Sequence, residues 1–119
     1  MFEVRVESHF SSAHHLLNYK GECENMHGHN WKVEVTLKGD ILDKSNILVD
    51  FKILKKKLNE ILDCLDHKDL NELEEFKNIS PSSEIISKFI YNKIKKDFNN
   101  VHKVSVYETP TSCTTYYEE

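Results

Sequence analysis

The sequence predicts an α+β domain in the order β-β-α-α-β-β, an antiparallel sheet with two helices on one face. Three observations carry that prediction. Apolar residues alternate near the start of the chain (Phe2, Val4, Val6, Phe10) and again at Trp31, Val33, Val35 and Leu37, the period of half-buried strands, whose successive side chains point to opposite faces. Two later stretches carry leucine or isoleucine at helical spacing. Strand character then returns near the C-terminus. Strands, then helices, then strands is the grouping of an α+β fold rather than of alternating parallel units.

Taken in order, the first strand runs from Phe2 and ends near Ser12-Ala13-His14-His15. A loop through Asn18-Tyr19-Lys20-Gly21-Glu22 leads to Cys23 and to a second strand from His27 to Lys38, closed by Gly39-Asp40. The simplest pairing is an antiparallel ribbon with a long, irregular connection. Asp50 is placed as the N-cap of a helix over Phe51 to Leu65, whose apolar stripe is Leu54, Leu58, Ile61, Leu62 and Leu65. An acidic linker with Glu72, Glu74 and Glu75 follows. Ser80-Pro81 reads as an N-cap followed by proline at the first position of a second helix, with Ile86, Ile90 and Ile94 on its inner face. Val104 to Glu108 and Ser112 to Tyr117 are the last strands, separated by Thr109-Pro110.

Composition narrows the function. The 119 residues suffice for one domain, 1–119, short enough that oligomerisation is a natural way to bury more surface. The net charge of -4, with no lysine or arginine run interleaved with aromatics, disfavours nucleic acid as partner. No apolar run approaches bilayer length, and the first residues are acidic where a signal peptide is basic, so a soluble cytoplasmic protein without membrane contact is expected. The cysteines, Cys23, Cys64 and Cys113, are odd in number and form no disulfide framework. Burial as small apolar groups is the expectation for Cys64 and Cys113.

The chemistry concentrates between His14 and His29. Two histidines one residue apart aim at a common point only on an extended backbone, so His27 and His29 belong on a strand, in phase with Trp31. With His14 they form the three-imidazole pattern of a catalytic metal site that keeps one position open, zinc being preferred over cobalt, iron or manganese. His15 competes with His14 for the third place. Cys23 is a fourth ligand, a nucleophile or base, or an inert thiol, and a nearby cation would favour its thiolate. Asp66-His67 sets a carboxylate beside an imidazole. Glu108 interrupts an apolar alternation, which calls for a partner or ligand unless the residue faces outward at an edge.

These pieces in order, Phe10-Ser-Ser-Ala13-His14, Cys23-x-x-x-His27-Gly28-His29-Asn-Trp, Val49-Asp50-Phe51, Leu65-Asp66-His67-x-x-Leu70-Asn71, Pro81-Ser-Ser-Glu84 and Glu108-Thr109, span nearly the whole chain. The chain thereby resembles the 6-pyruvoyltetrahydropterin synthase / 6-carboxytetrahydropterin synthase family. The resemblance implies a tunnelling fold, whose copies assemble into an oligomeric barrel. It also implies a homo-oligomer, a hexamer among the sizes open to it, with active sites between subunits. By the same resemblance His14, His27 and His29 match Zn2+ ligands, Cys23 the catalytic thiol, Asp66 and His67 its acid/base partners, and Glu108 the anchor of the pterin ring.

The implied substrate is 7,8-dihydroneopterin triphosphate. The short step from Cys23 to His27 resembles the bacterial 6-carboxytetrahydropterin synthases of queuosine (7-deazapurine) biosynthesis, which release triphosphate and acetaldehyde. The pyruvoyl-forming sibling reaction and, because Glu24 follows Cys23, a side-chain-cleaving sibling of folate synthesis are the alternatives. An alternative of another class is a non-catalytic metal- or pterin-binding module.

Overall fold

Alternating burial runs along both N-terminal strands, as their sequences predict. The computed structural model describes residues 1–20 and 24–119, and Cys23 lies outside the described residues. Strand β1 (Phe2–His14) buries Val6, Phe10, Ser12 and His14, and β2 (His27–Gly39) buries Trp31, Val33, Val35 and Leu37. They pair antiparallel in an unbroken register from Phe2 opposite Gly39 to His14 opposite His27. Strands β3 (Val101–Thr109) and β4 (Ser112–Tyr116) complete an antiparallel sheet in the order β1-β2-β3-β4.

Helix α1 (Phe51–Asp63) begins where expected. Asp50 accepts from the Lys52 N–H and satisfies one of the donors that a helix start leaves free. Its inner stripe, Leu54, Leu58, Ile61 and Leu62, packs in one core with the sheet residues and with Ile86, Ile90 and Ile94 of α2 (Ser83–Lys95). Both helices thus cover the same face of the sheet.

Three local expectations are corrected. The second helix is capped by Ser82, whose hydroxyl accepts from the Ile85 N–H, and not by Ser80. Ser80 instead turns its hydroxyl to the backbone of Leu17, so Pro81 precedes the helix and its carbonyl is free for another partner. The acidic linker contains two short 3-10 turns, Leu70–Glu72 and Glu74–Phe76, which bury Leu70 and Phe76. Cys64 and Cys113 are both exposed: Cys64 caps the end of α1 outside the leucine stripe, and Cys113 lies on edge strand β4 with its side chain on the face the helices do not cover.

Candidate metal centre

The register of the strands brings the histidines together. His14 ends β1 directly opposite His27, and His29 lies opposite Ser12 two residues further along β2. All three side chains continue the helix-side face that Phe10 and Trp31 begin. Glu108 reaches the same place from β3, in phase with the buried Val104 and Val106. One of its carboxylate oxygens lies 2.7 Å from His29 Nε2, 3.4 Å from His14 Nε2 and 3.6 Å from His27 Nε2. Glu108 is therefore not an outward-facing edge residue. The signal for its place was its phase with the two valines, but its proximity to the histidines depends on β3 pairing with β2 across some seventy residues of chain, roughly, which local pattern does not specify.

The surroundings aim the imidazoles at that point. His14 is 2% exposed, and its Nδ1 lies 2.7 Å from the Pro81 carbonyl. A carbonyl only accepts, so Nδ1 carries the proton and Nε2 presents its lone pair to the cluster. His27 has the same arrangement, with Nδ1 3.0 Å from the Asn25 carbonyl. Such outer hydrogen bonds are what fix metal-binding histidines in tautomer and orientation. Trp31, fully buried, packs edge-on against His14 and His29 with ring centroids 4.8 and 5.3 Å away, and its indole N–H donates to the Ser12 carbonyl. It forms an apolar floor under the site.

A metal ion fits this donor set. Among the described residues, His14, His27, His29 and Glu108 each offer one ligand atom, all within 4.8 Å of one another. Imidazole donors around one zinc ion stand ~3.4 Å apart, so small adjustments of the three histidines suffice, and the Glu108 carboxylate beside them is left for a second partner. The Nε2 atoms of His14 and His29 are buried with no aligned hydrogen-bond partner among the described residues, the close Glu108 oxygen included. Buried polar atoms of that kind call for a ligand. Burial lowers the His29 pKa, against the opposing pull of the Glu108 carboxylate, a direction that favours the neutral imidazole a metal ion binds. His15, the competing candidate, does not join the cluster; its backbone is tied to Asn71.

Asp66 and His67 lie elsewhere. Strand β1 is an edge strand, and the segment after α1 docks on its free side: Asp66 Oδ1 accepts from the Ser11 N–H at 2.8 Å, and the His67 N–H donates to the Ser11 carbonyl at 2.6 Å. The pair is thus across β1 from the imidazoles of β2. His67 Nδ1 sits 3.0 Å from Asp66 Oδ2, its side chain is 82% exposed, and its backbone is left-handed with φ of 54°. The Ser11 N–H and, secondarily, the His67 imidazole hold the Asp66 carboxyl below the usual range although burial opposes them.

Comparison with known proteins agrees with this geometry. The 6-carboxy-5,6,7,8-tetrahydropterin synthase of Bacillus subtilis is 34% identical over 126 residues, covering 97% of this chain and 84% of the relative. The enzyme of the same name from Haemophilus influenzae is 30% identical and covers 99% of this chain and 100% of the relative. Human 6-pyruvoyl tetrahydrobiopterin synthase is 33% identical, covering 97% of this chain and 83% of the relative. Among solved structures, Caenorhabditis elegans 6-pyruvoyl tetrahydropterin synthase superposes with a TM-score of 0.88 at 28% identity, covering 99% of this chain and 96% of that one. The family model described as 6-pyruvoyl tetrahydropterin synthase matches residues 3–119, and with sheet, helices and matched sequence coinciding over that span, the chain belongs to this family.

Proposed function

We propose that this protein converts 7,8-dihydroneopterin triphosphate and water to 6-carboxy-5,6,7,8-tetrahydropterin, triphosphate and acetaldehyde, as a cytoplasmic zinc enzyme of queuosine (7-deazapurine) biosynthesis. The observation that carries the reading is the convergence of three imidazole Nε2 atoms and one carboxylate oxygen on a single point above Trp31. The bacterial relatives named for this activity support the choice of product.

His14, His27 and His29 hold Zn2+ in this reading, and the bound ion supplies Lewis acidity toward the hydroxyl oxygens of the substrate side chain. Glu108 accepts the paired N–H groups of the pterin edge, a bidentate contact that compensates for desolvating its charge. Its 2.7 Å approach to His29 Nε2 supports a ring bound beside the imidazoles. Cys23 and His67 transfer the protons, and Asp66 orients the His67 ring through the 3.0 Å contact. No external reductant is needed, because the ring gains the two hydrogens that correspond to oxidation of its side chain. The exposure of His67, across β1 from the cluster, favours a homo-oligomer in which a neighbouring copy supplies it.

The pyruvoyl-forming reaction is the second reading, favoured by relatives of that name at similar identity. Incubating the zinc-loaded protein with dihydroneopterin triphosphate separates the two. Carboxytetrahydropterin with acetaldehyde supports the first, the pyruvoyl product supports the second, and metal binding without turnover, unchanged by Cys23→Ala, indicates a binding module.

A further inference from the structure

Three consecutive residues carry the chain out of β1 immediately after His14, and each is held through both its backbone groups. The His15 N–H donates to Asn71 Oδ1 at 2.9 Å, and Asn71 Nδ2 donates back to the His15 carbonyl at 3.0 Å. The Leu16 N–H donates to Glu24 Oε1 at 3.1 Å, while the Glu24 N–H donates to the Leu16 carbonyl at 3.0 Å. The Leu17 N–H donates to Ser80 Oγ at 2.7 Å, and the same hydroxyl lies 3.2 Å from the Leu17 carbonyl. The holding groups come from three separate parts of the chain: a 3-10 turn, the far side of the β1–β2 connection, and the residue before Pro81.

A chain leaving a strand can satisfy its backbone groups with water where it is exposed and needs protein partners where it is buried. Here the three exit residues are half-buried, and all six of their backbone groups find partners within the protein. What they fix is the last residue of the strand. His14 must keep its Nε2 within reach of two imidazoles on β2 and its Nδ1 on the Pro81 carbonyl, and Ser80 ties Leu17 to the peptide that provides that carbonyl. Glu24 joins the same exit to the second strand's ligands, since its Oε1 also lies 3.6 Å from His27 Nδ1.

We propose that Glu24, Asn71 and Ser80 are positioning residues, a three-point clamp on the exit of β1 that holds His14 in register with His27 and His29 for metal binding. The inference rests on the metal centre described above. It assigns the Glu24 carboxylate to a structural tie and not to proton transfer.

The test compares Glu24→Ala, Glu24→Gln and Ser80→Ala with the wild-type chain by amide hydrogen exchange and by Zn2+ affinity in chelator competition. Gln retains an oxygen that can accept from the Leu16 N–H but cannot serve as a base. Glu24→Ala is expected to speed exchange of the Leu16 amide and to weaken Zn2+ binding by about tenfold, the usual consequence of losing an outer hydrogen bond at a metal site. Ser80→Ala is expected to do the same through Leu17. Glu24→Gln is expected to restore exchange and affinity to within about threefold of wild type and to keep turnover. Wild-type Zn2+ affinity in Glu24→Ala, or a Glu24→Gln variant as impaired as Glu24→Ala, overturns the proposal. So does a Glu24→Gln variant that binds Zn2+ normally but has lost turnover, since the carboxylate would then be transferring protons. Exchange and affinity need no substrate, so failure of the pterin reaction itself would be visible separately as a wild-type chain that makes no product.

Discussion

At the scale of single residues, function rests on how neighbouring backbone groups constrain side chains. The Pro81 and Asn25 carbonyls fix the tautomers of His14 and His27, and the Ser11 N–H fixes the ionisation of Asp66. Because the folded Asp66 pKa is lowered, its contribution to stability is complete above the unfolded value of about 3.9 and is lost as pH falls through the lower folded value. Asp66→Asn is therefore expected to flatten the dependence of the urea midpoint on pH below about pH 4.

His67 allows a sharper separation of fold from chemistry, because its φ of 54° suits glycine better than any branched side chain. His67→Gly is expected to change unfolding stability by no more than about 1 kcal/mol and to cost at least about a hundredfold in turnover. His67→Val, strained at the same φ, is expected to lose about 1–3 kcal/mol as well. Much of this scale was legible in the chain: alternation alone placed His27 and His29 with Trp31. The choice of His14 over His15 came from the motif Phe10-Ser-Ser-Ala13-His14 and not from ligand chemistry, which either imidazole satisfies; the strand buries His14 in phase with Val6 and Phe10. The company Glu108 keeps was not legible, since it is set by pairing between strands distant in sequence.

At the scale of elements, a clear period specifies an element, and competing hydrogen bonds obscure one. Both long strands and the cap of α1 follow from residues that act on their immediate neighbours. Ser80 and Ser82 illustrate the other case. Either serine can cap α2 locally, but Ser80 is drawn to Leu17, sixty-three positions away, and this leaves the cap to Ser82 and releases the Pro81 carbonyl for His14. Ser82→Ala is expected to destabilise the fold by about 1 kcal/mol in chemical denaturation, as loss of an N-cap does. The 3-10 turns leave no mark in the sequence because three-residue elements carry no period, although the burial of Leu70 and Phe76 ties them firmly to the core.

At the scale of the whole molecule, the sheet ends in β1 and β4, and among the described residues the segment after α1 covers the Ser11–Ala13 part of the β1 edge. Open edges invite pairing between copies. Exposed Phe2 and Phe51 line a cavity of about 380 Å³ beside the start of β1, a further apolar surface for a neighbouring chain. If a neighbour supplies His67 to the metal centre, inactive His67→Ala and His27→Ala proteins refolded together in equal amounts are expected to regain about a quarter of wild-type activity, the share of sites assembled from two intact halves. Recovery near zero would place both halves of the site in one chain.

If pterin chemistry takes place at the His14, His27 and His29 centre, turnover depends on the metal bound there. Protein stripped by chelator and then titrated with Zn2+ is followed for carboxytetrahydropterin formed from dihydroneopterin triphosphate. The expected result is no product without metal, a linear rise that levels off at about one Zn2+ per chain, and loss of both binding and product in His29→Ala. Product formed at full rate by the stripped protein, or by His29→Ala, would contradict it.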